Sequence, residues 1–134
     1  MKTSMVTKSV FSFVVMFVCS MMVSASMPRD YKYDTKFVDG KVVSKTVFSQ
    51  VNGLLNKQVR YEFTYNNDGK VAEKKAYRWN GDNGEWAPYY LISYKYDKGT
   101  IESTYGMWNK RKNNFTLGVQ SMTIPDANYK EIFN

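Results

Sequence analysis

Tyr90-Leu-Ile-Ser-Tyr94-Lys95-Tyr96-Asp97-Lys98-Gly99-Thr100-Ile101-Glu102-Ser-Thr-Tyr105-Gly-Met107 alternates large apolar and polar residues on both sides of one glycine. Alternation of period two marks a half-buried strand, and a Gly-bearing break between two such runs marks a tight hairpin turn. With Lys98-Gly99 as a two-residue turn, Tyr96 faces Ile101, Ile92 faces Tyr105 and Tyr90 faces Met107. Lys95 then faces Glu102 on the other side. One face of the hairpin is apolar and the other holds an opposite-charge pair, and cross-strand pairs of both kinds stabilise antiparallel sheets.

The same unit recurs upstream. Asp39-Gly40-Lys41-Val42 leads to Phe48, and Asp68-Gly69-Lys70-Val71 leads to Tyr77-Arg78-Trp79-Asn80. With Lys98-Gly99-Thr100-Ile101 leading to Tyr105 and Trp108-Asn109, the copies lie about 30 residues apart, as when one supersecondary unit is repeated. Asp39-Gly40, a favoured two-residue turn, sets Phe37 against Val42, Tyr31 against Phe48 and Asp34 against Lys45. A three-residue loop, Asn67-Asp68-Gly69, sets Tyr65 against Val71, Val59 against Tyr77 and Glu62 against Lys74. Six-residue polar loops join the units, one between Trp79 and Trp86, the other between Trp108 and Phe115.

Strands are therefore predicted near 31–38, 41–50, 58–66, 70–79, 87–96, 100–108 and 115–124. Pro125 breaks the last, and 125–134 form a C-terminal tail with room for one helical turn. The predicted fold is all-β: an antiparallel meander of about seven strands, curled or two-layered, built from the repeated hairpin. One face is expected to carry charges, among them Lys45, Lys74 and Arg78. The other carries the aromatics, among them Phe48, Tyr61, Tyr77, Trp79, Tyr90 and Tyr94. No helix is predicted to cover the aromatic face. It must curl on itself, stack on a second layer or pair with another chain, because so large an apolar face is sticky in water.

The N-terminus reads as a leader. Lys2 and Lys8 precede an apolar run over 10–18, and Val23-Ser24-Ala25 places small residues for cleavage before Ser26. A membrane anchor needs about 20 apolar residues, and Ser12, Ser20 and Ser24 interrupt this run. Cys19 follows Val18, where a lipobox wants a small residue. Residues 1–25 are thus a predicted signal peptide and 26–134 a single β domain, exported to the periplasm or beyond. No transmembrane segment is expected after cleavage. Of 19 basic and 12 acidic residues, Lys2 and Lys8 leave with the leader, so 17 against 12 gives the mature chain a charge of +5. It has no cysteine, so no disulfide is expected in an oxidising compartment.

The chain contains no histidine. Ser-His triads, Cys-His pairs and the usual zinc sites are excluded. Two carboxylates can hydrolyse a glycoside, but only Glu73 and Glu85 are expected near the aromatic face. Asp82 and Asp97 sit in turns, where aspartate serves backbone geometry. No catalytic residue, metal or cofactor is expected, and the protein reads as a non-enzyme. Candidate binding residues are Trp79, Asn80, Trp86, Trp108 and Asn109, since Trp beside Asn can stack on a sugar ring and bond its hydroxyls. The plainer reading is that the rings clamp hairpin ends and the asparagines start turns, and the repetition favours it. Lys110-Arg111-Lys112 suits acidic glycans or lipid headgroups, or is a solvated turn. Interleaved basic and aromatic residues also suit single-stranded nucleic acid, a partner that export excludes.

Tyr65-Asn-Asn-Asp-Gly69-Lys-Val71 and Tyr96-Asp97-Lys98-Gly99-Thr100-Ile101 resemble the turns of tyrosine-aspartate repeats in large secreted wrapping β-proteins. A broader resemblance rests on Tyr61-Glu-Phe-Thr-Tyr65, Gly69-Lys-Val71, Lys75-Ala-Tyr77-Arg-Trp79-Asn80, Trp86-Ala-Pro88-Tyr-Tyr90 and Trp108-Asn109-Lys110. With these, most of the mature chain is similar to a family of small exported Bacteroidetes proteins of uncharacterised function. The resemblance implies a signal peptide and a β-rich fold, and no active site. The expected role is a non-catalytic module binding an envelope or extracellular polymer, carbohydrate first. The alternatives are a structural or self-assembling envelope protein, oligomeric through its aromatic face, and a carrier of a small apolar ligand in a Tyr-lined interior.

Overall fold

A computed structural model describes residues 30–133. The leader, Cys19 and the cleavage site lie outside the described residues. Seven strands follow in order: β1 (Asp30–Val38), β2 (Lys41–Val51), β3 (Leu54–Tyr65), β4 (Val71–Asn80), β5 (Glu85–Asp97), β6 (Thr100–Asn109) and β7 (Asn114–Pro125). They form one antiparallel sheet in meander order, with β1 and β7 as its edges, so the sheet is not closed.

The β5–β6 hairpin has the register its sequence spells: Tyr96 opposite Ile101, Lys95 opposite Glu102, Ile92 opposite Tyr105 and Tyr90 opposite Met107. Lys98 and Gly99 have φ of 43° and 82°, the left-handed pair that suits the twist of a hairpin. Gly99 has open space around its missing Cβ, so a side chain there meets backbone strain and no neighbour. Gly99→Val is expected to cost roughly 1–3 kcal/mol in urea unfolding. Exchanging Lys95→Glu with Glu102→Lys should cost at most about 1 kcal/mol, because both residues are exposed.

The other two hairpins depart from the expected register. In each, the first apolar pair beside the turn is as read: Phe37 with Val42, and Tyr65 with Val71. A bulge then adds one unpaired residue, Val43 in β2 and Ala72 in β4. Beyond it Tyr31 faces Ser49, Lys32 faces Phe48 and Thr35 faces Lys45. Likewise Glu62 faces Lys75, Phe63 faces Lys74 and Arg60 faces Tyr77. The expected pairs Tyr31–Phe48, Asp34–Lys45, Val59–Tyr77 and Glu62–Lys74 are therefore wrong by one residue. A slip of one moves every later side chain to the opposite face. Lys45, Lys74 and Arg78 stand on the tyrosine face, while Phe48, Tyr77 and Trp79 stand on the charged face.

A turn also sits where a loop was expected. Asn52 and Gly53 have φ of 51° and 77°, so β2 and β3 join by a two-residue hairpin and β3 begins at Leu54. Asn-Gly flanked by apolar residues is the strongest short hairpin signal, and it stands plainly in the chain. At β6–β7, Gly106 lies where an added Cβ would come 2.6 Å from the Thr116 carbonyl oxygen. Only glycine lets β7 approach so closely.

The tyrosine face holds the core. Val47, Tyr61 and Ala76 are buried, with Tyr31, Val59, Phe63 and Tyr90 packed around them. Contrary to expectation, a helix covers part of this face. A 3-10 turn (Asp126–Asn128) leads into α1 (Tyr129–Phe133). The Asp126 amide donates to the Gly99 carbonyl at 2.8 Å, which turns the chain back over the sheet. Phe133 meets Tyr94 edge-on at 4.8 Å, and the Val71 amide, beside the Ala72 bulge, donates to the Tyr129 hydroxyl at 3.0 Å. A five-residue helix is too short to show a period or to stand alone in water; these contacts hold it.

Candidate functional site

In a meander, alternate turns share an end. The β2–β3, β4–β5 and β6–β7 turns therefore close one end of the sheet. On the charged face near that end, Trp79 and Trp86 are cross-strand partners whose rings meet edge-on at 5.2 Å. Trp108 and Phe115 repeat the arrangement at 5.1 Å. Alternation along β4, the Lys75–Leu91 and Leu91–Gly106 pairs, and alternation along β6 place both ring pairs on the same face.

Two cations lie on these rings. Lys57 Nζ is 4.2 Å from the Trp79 ring centre. The Arg60 guanidinium sits 5.1 Å from Trp86 and 5.2 Å from Tyr77. Its Nη2 reaches Glu62 Oε1 at 3.1 Å, and its buried Nε has no acceptor. The attraction of the ring faces helps offset that unmet donor. A bulge at Gln58, between the Val47–Val59 and Phe48–Lys57 pairs, turns Lys57 to this face. Sequence reasoning missed Lys57, Arg60 and Tyr77 as members of this site because their common face depends on the bulges.

Of the predicted site residues, Trp79, Trp86 and Trp108 come to one end of one face and are half-buried. The asparagines are occupied locally. Asn80 Oδ1 accepts from the Asp82 amide at 3.0 Å. Asn109 Oδ1 accepts from the amides of Arg111 and Lys112 at 3.0 and 3.2 Å. Both asparagines shape their turns, the plainer of the two sequence readings. A shallow open depression of about 460 Å³ lies beside Trp108, Asn109, Lys110 and Arg111.

The tyrosine face holds a second cluster. Lys74 Nζ lies 4.4 Å from the Tyr61 ring centre, and Lys45 is the cross-strand partner of Tyr61. Burial, and for Lys74 also the charge of Lys45, lowers both lysines to about 8. Burial pushes Tyr61 up to about 12 and raises Tyr90, whose hydroxyl is hydrogen-bonded to that of Tyr61. Arg78 stacks 3.8 Å from the Tyr89 ring and donates to its hydroxyl at 3.0 Å. Glu73 pairs with Thr64 and Ser93 on the charged face, so it does not join the tyrosines as expected. Among the described residues no three His, Cys, Asp or Glu side chains gather as metal ligands would. No helix there is long and apolar enough to cross a membrane.

A model of a family of unknown function, DUF3836, matches residues 1–126. The chain is similar to the crystal structure of a DUF3836 protein from Parabacteroides distasonis ATCC 8503, with 60% identity and a TM-score of 0.72. That match covers 80% of this chain and 100% of the other. A DUF3836 protein from Bacteroides vulgatus ATCC 8482 is 25% identical with a TM-score of 0.67, over 70% of this chain and 97% of the other. A protein of unknown function from Bacteroides fragilis NCTC 9343, 23% identical over 66% of each chain with a TM-score of 0.61, shares the fold. Nothing among curated proteins matches the chain.

Proposed function

We propose a function on the premise that the chain belongs to the DUF3836 family, a family of unknown function: it is a non-catalytic, exported module that binds an acidic carbohydrate polymer across the Trp79–Trp86 end of its charged face. One observation carries this reading. Half-exposed rings stand in a row with Lys57 and Arg60 lying on them. A sugar ring can stack its C–H face on an indole while its carboxylate or sulfate meets the neighbouring cation. The Val47, Tyr61 and Ala76 cluster packs on the opposite face, and Leu91 is the buried apolar side chain on this one.

Export rests on the leader pattern of residues 1–25. The carrier alternative is less well supported, because α1 and packed rings occupy the tyrosine face over Tyr94 and Tyr96.

Affinity electrophoresis tests the proposal. Gels containing polygalacturonate should retard the protein, while gels containing neutral dextran should not. Trp79→Ala should weaken the retardation about tenfold, equivalent to about 1.4 kcal/mol. Equal mobility in both gels, or undiminished retardation of Trp79→Ala, would overturn the assignment.

A further inference from the structure

The β2–β3 turn has a feature that polymer binding leaves unexplained. Leu54 is 70% exposed, Leu55 55% and Val51 48%. Leu54 is the most exposed of the large apolar side chains among the described residues. These three flank Asn52-Gly53, whose positive φ values lock a tight two-residue turn. The result is a stiff finger with an apolar tip, projecting from the end of the sheet. Leu54, with Val51, stands on one face of the finger and Leu55 on the other. Exposed in water they gain nothing for the fold, because the Val47, Tyr61 and Ala76 cluster is built from other residues.

The surroundings of the finger identify its partner. The β6–β7 turn at the same end carries Lys110, Arg111 and Lys112, all exposed. Lys57 stands on the strand that leaves the finger. Behind the tips lie Trp79, Trp86 and Trp108, the residue type that settles at the boundary between headgroups and acyl chains. The acidic residues at this end, Asp82 and Glu85, belong to the middle turn. The opposite end also exposes apolar side chains, Phe37 and Val38. There, however, each turn is flanked by or contains an aspartate: Asp39, Asp68 and Asp97. Those turns also carry Lys41, Lys70 and Lys98, so their charges balance, whereas Lys57, Lys110, Arg111 and Lys112 outnumber Asp82 and Glu85 at this end, and an anionic surface is attracted here rather than there.

We propose that the β2–β3 finger and the Lys110-Arg111-Lys112 loop dock the protein on an anionic lipid surface. Leu54 and Leu55 enter the acyl boundary, and the basic loop lies among the headgroups. Apolar insertion and basic attraction then act together, as stable attachment to a membrane surface requires. Lys57 and the Trp79–Trp86 row lie behind both surfaces, but the docking is carried by Leu54, Leu55 and the Lys110-Arg111-Lys112 loop, so variants of these residues test it separately from Trp79→Ala.

The test uses protein beginning at Ser26, which contains every strand and α1. A solved relative folds with the part of the chain matched here over 80% of its length, and removal of the leader keeps its own apolar run from reaching the lipid. The protein is sedimented with vesicles of phosphatidylcholine, with and without phosphatidylglycerol. Binding should require phosphatidylglycerol. Leu54→Asp with Leu55→Asp should reduce it at least tenfold while leaving the β-sheet circular dichroism intact. Charge reversal of Lys110, Arg111 and Lys112 should reduce it by a similar factor. Inorganic phosphate added at constant ionic strength should not compete, since a surface and not a single phosphate is recognised. The inference is overturned by absence of binding to phosphatidylglycerol vesicles, by a leucine double variant that sediments like the parent, or by displacement with phosphate.

Discussion

Tyr61→Ala should lower the unfolding free energy by about 3–5 kcal/mol, as truncation of a large core aromatic does. Tyr61 is 3% exposed and packs at the centre of the sheet with Val47 and Ala76. Its ring carries the Lys74 ammonium, and its hydroxyl is bonded to that of Tyr90. Truncation therefore removes apolar burial and leaves a buried cation without its ring. Urea unfolding monitored by circular dichroism measures the loss. Tyr94→Ala should cost less, because Tyr94 is less deeply covered, but it should also release α1 through loss of the Phe133 contact. Lys95→Ala, on the exposed side of the same strand, should cost well under 1 kcal/mol. A larger cost for Lys95→Ala than for Tyr94→Ala would mean that the β5–β6 faces are inverted.

Stability should rise from pH 7.5 to about pH 10 and fall above it, an unusual profile for so basic a chain. Lys45 and Lys74 titrate near 8 in the fold, against 10.5 for an ordinary lysine. Between those values the unfolded chain holds more protons than the folded one, so raising the pH favours folding. Tyr61, Tyr90 and Tyr94 are raised by burial. Above about pH 10 the unfolded chain loses those protons first, and raising the pH then favours unfolding.

At neutral pH, keeping Lys74 charged in its site costs on the order of 3 kcal/mol. That cost is net of the contact with Tyr61, and replacing the amine also gives up that contact. Lys74→Met keeps the stem and removes the charge, so it should stabilise the protein by about 1–2 kcal/mol at pH 7 and flatten the rise toward pH 10. Thermal unfolding across this pH range checks both. A parent protein whose stability falls steadily above pH 8, or a Lys74→Met variant less stable than the parent at pH 7, would show that the amine is not desolvated.

The legibility of this chain varied from hairpin to hairpin, and the bulges explain why. Between Tyr90 and Met107 no bulge intervenes, and simple counting from Gly99 places every side chain. In the two earlier hairpins, counting is right up to Val42 and Val71 and then fails at Val43 and Ala72. Nothing in the local composition of those residues distinguishes a bulged position from a paired one. A bulge forms where twist and packing across several strands favour it. The exchange of Lys74 and Tyr77 between faces followed from that single residue, and with it the membership of the candidate site. Asn52-Gly53 is a different case, since its turn signal was present and local.

Local sequence by itself determined the strands, because period-two alternation and Gly-bearing turns act over a few neighbouring residues. It also determined that the strands run as a meander, because each turn is too short to allow any other neighbour. Only the tertiary structure decided which face each side chain occupies beyond a bulge, that Lys45 and Lys74 lie among tyrosines, and that residues 129–133 form a helix. The physical reason is range. A hairpin turn is settled by the φ preferences of two residues, whereas bulges, buried amines and a five-residue helix depend on contacts such as Tyr129 with Val71, 58 positions apart.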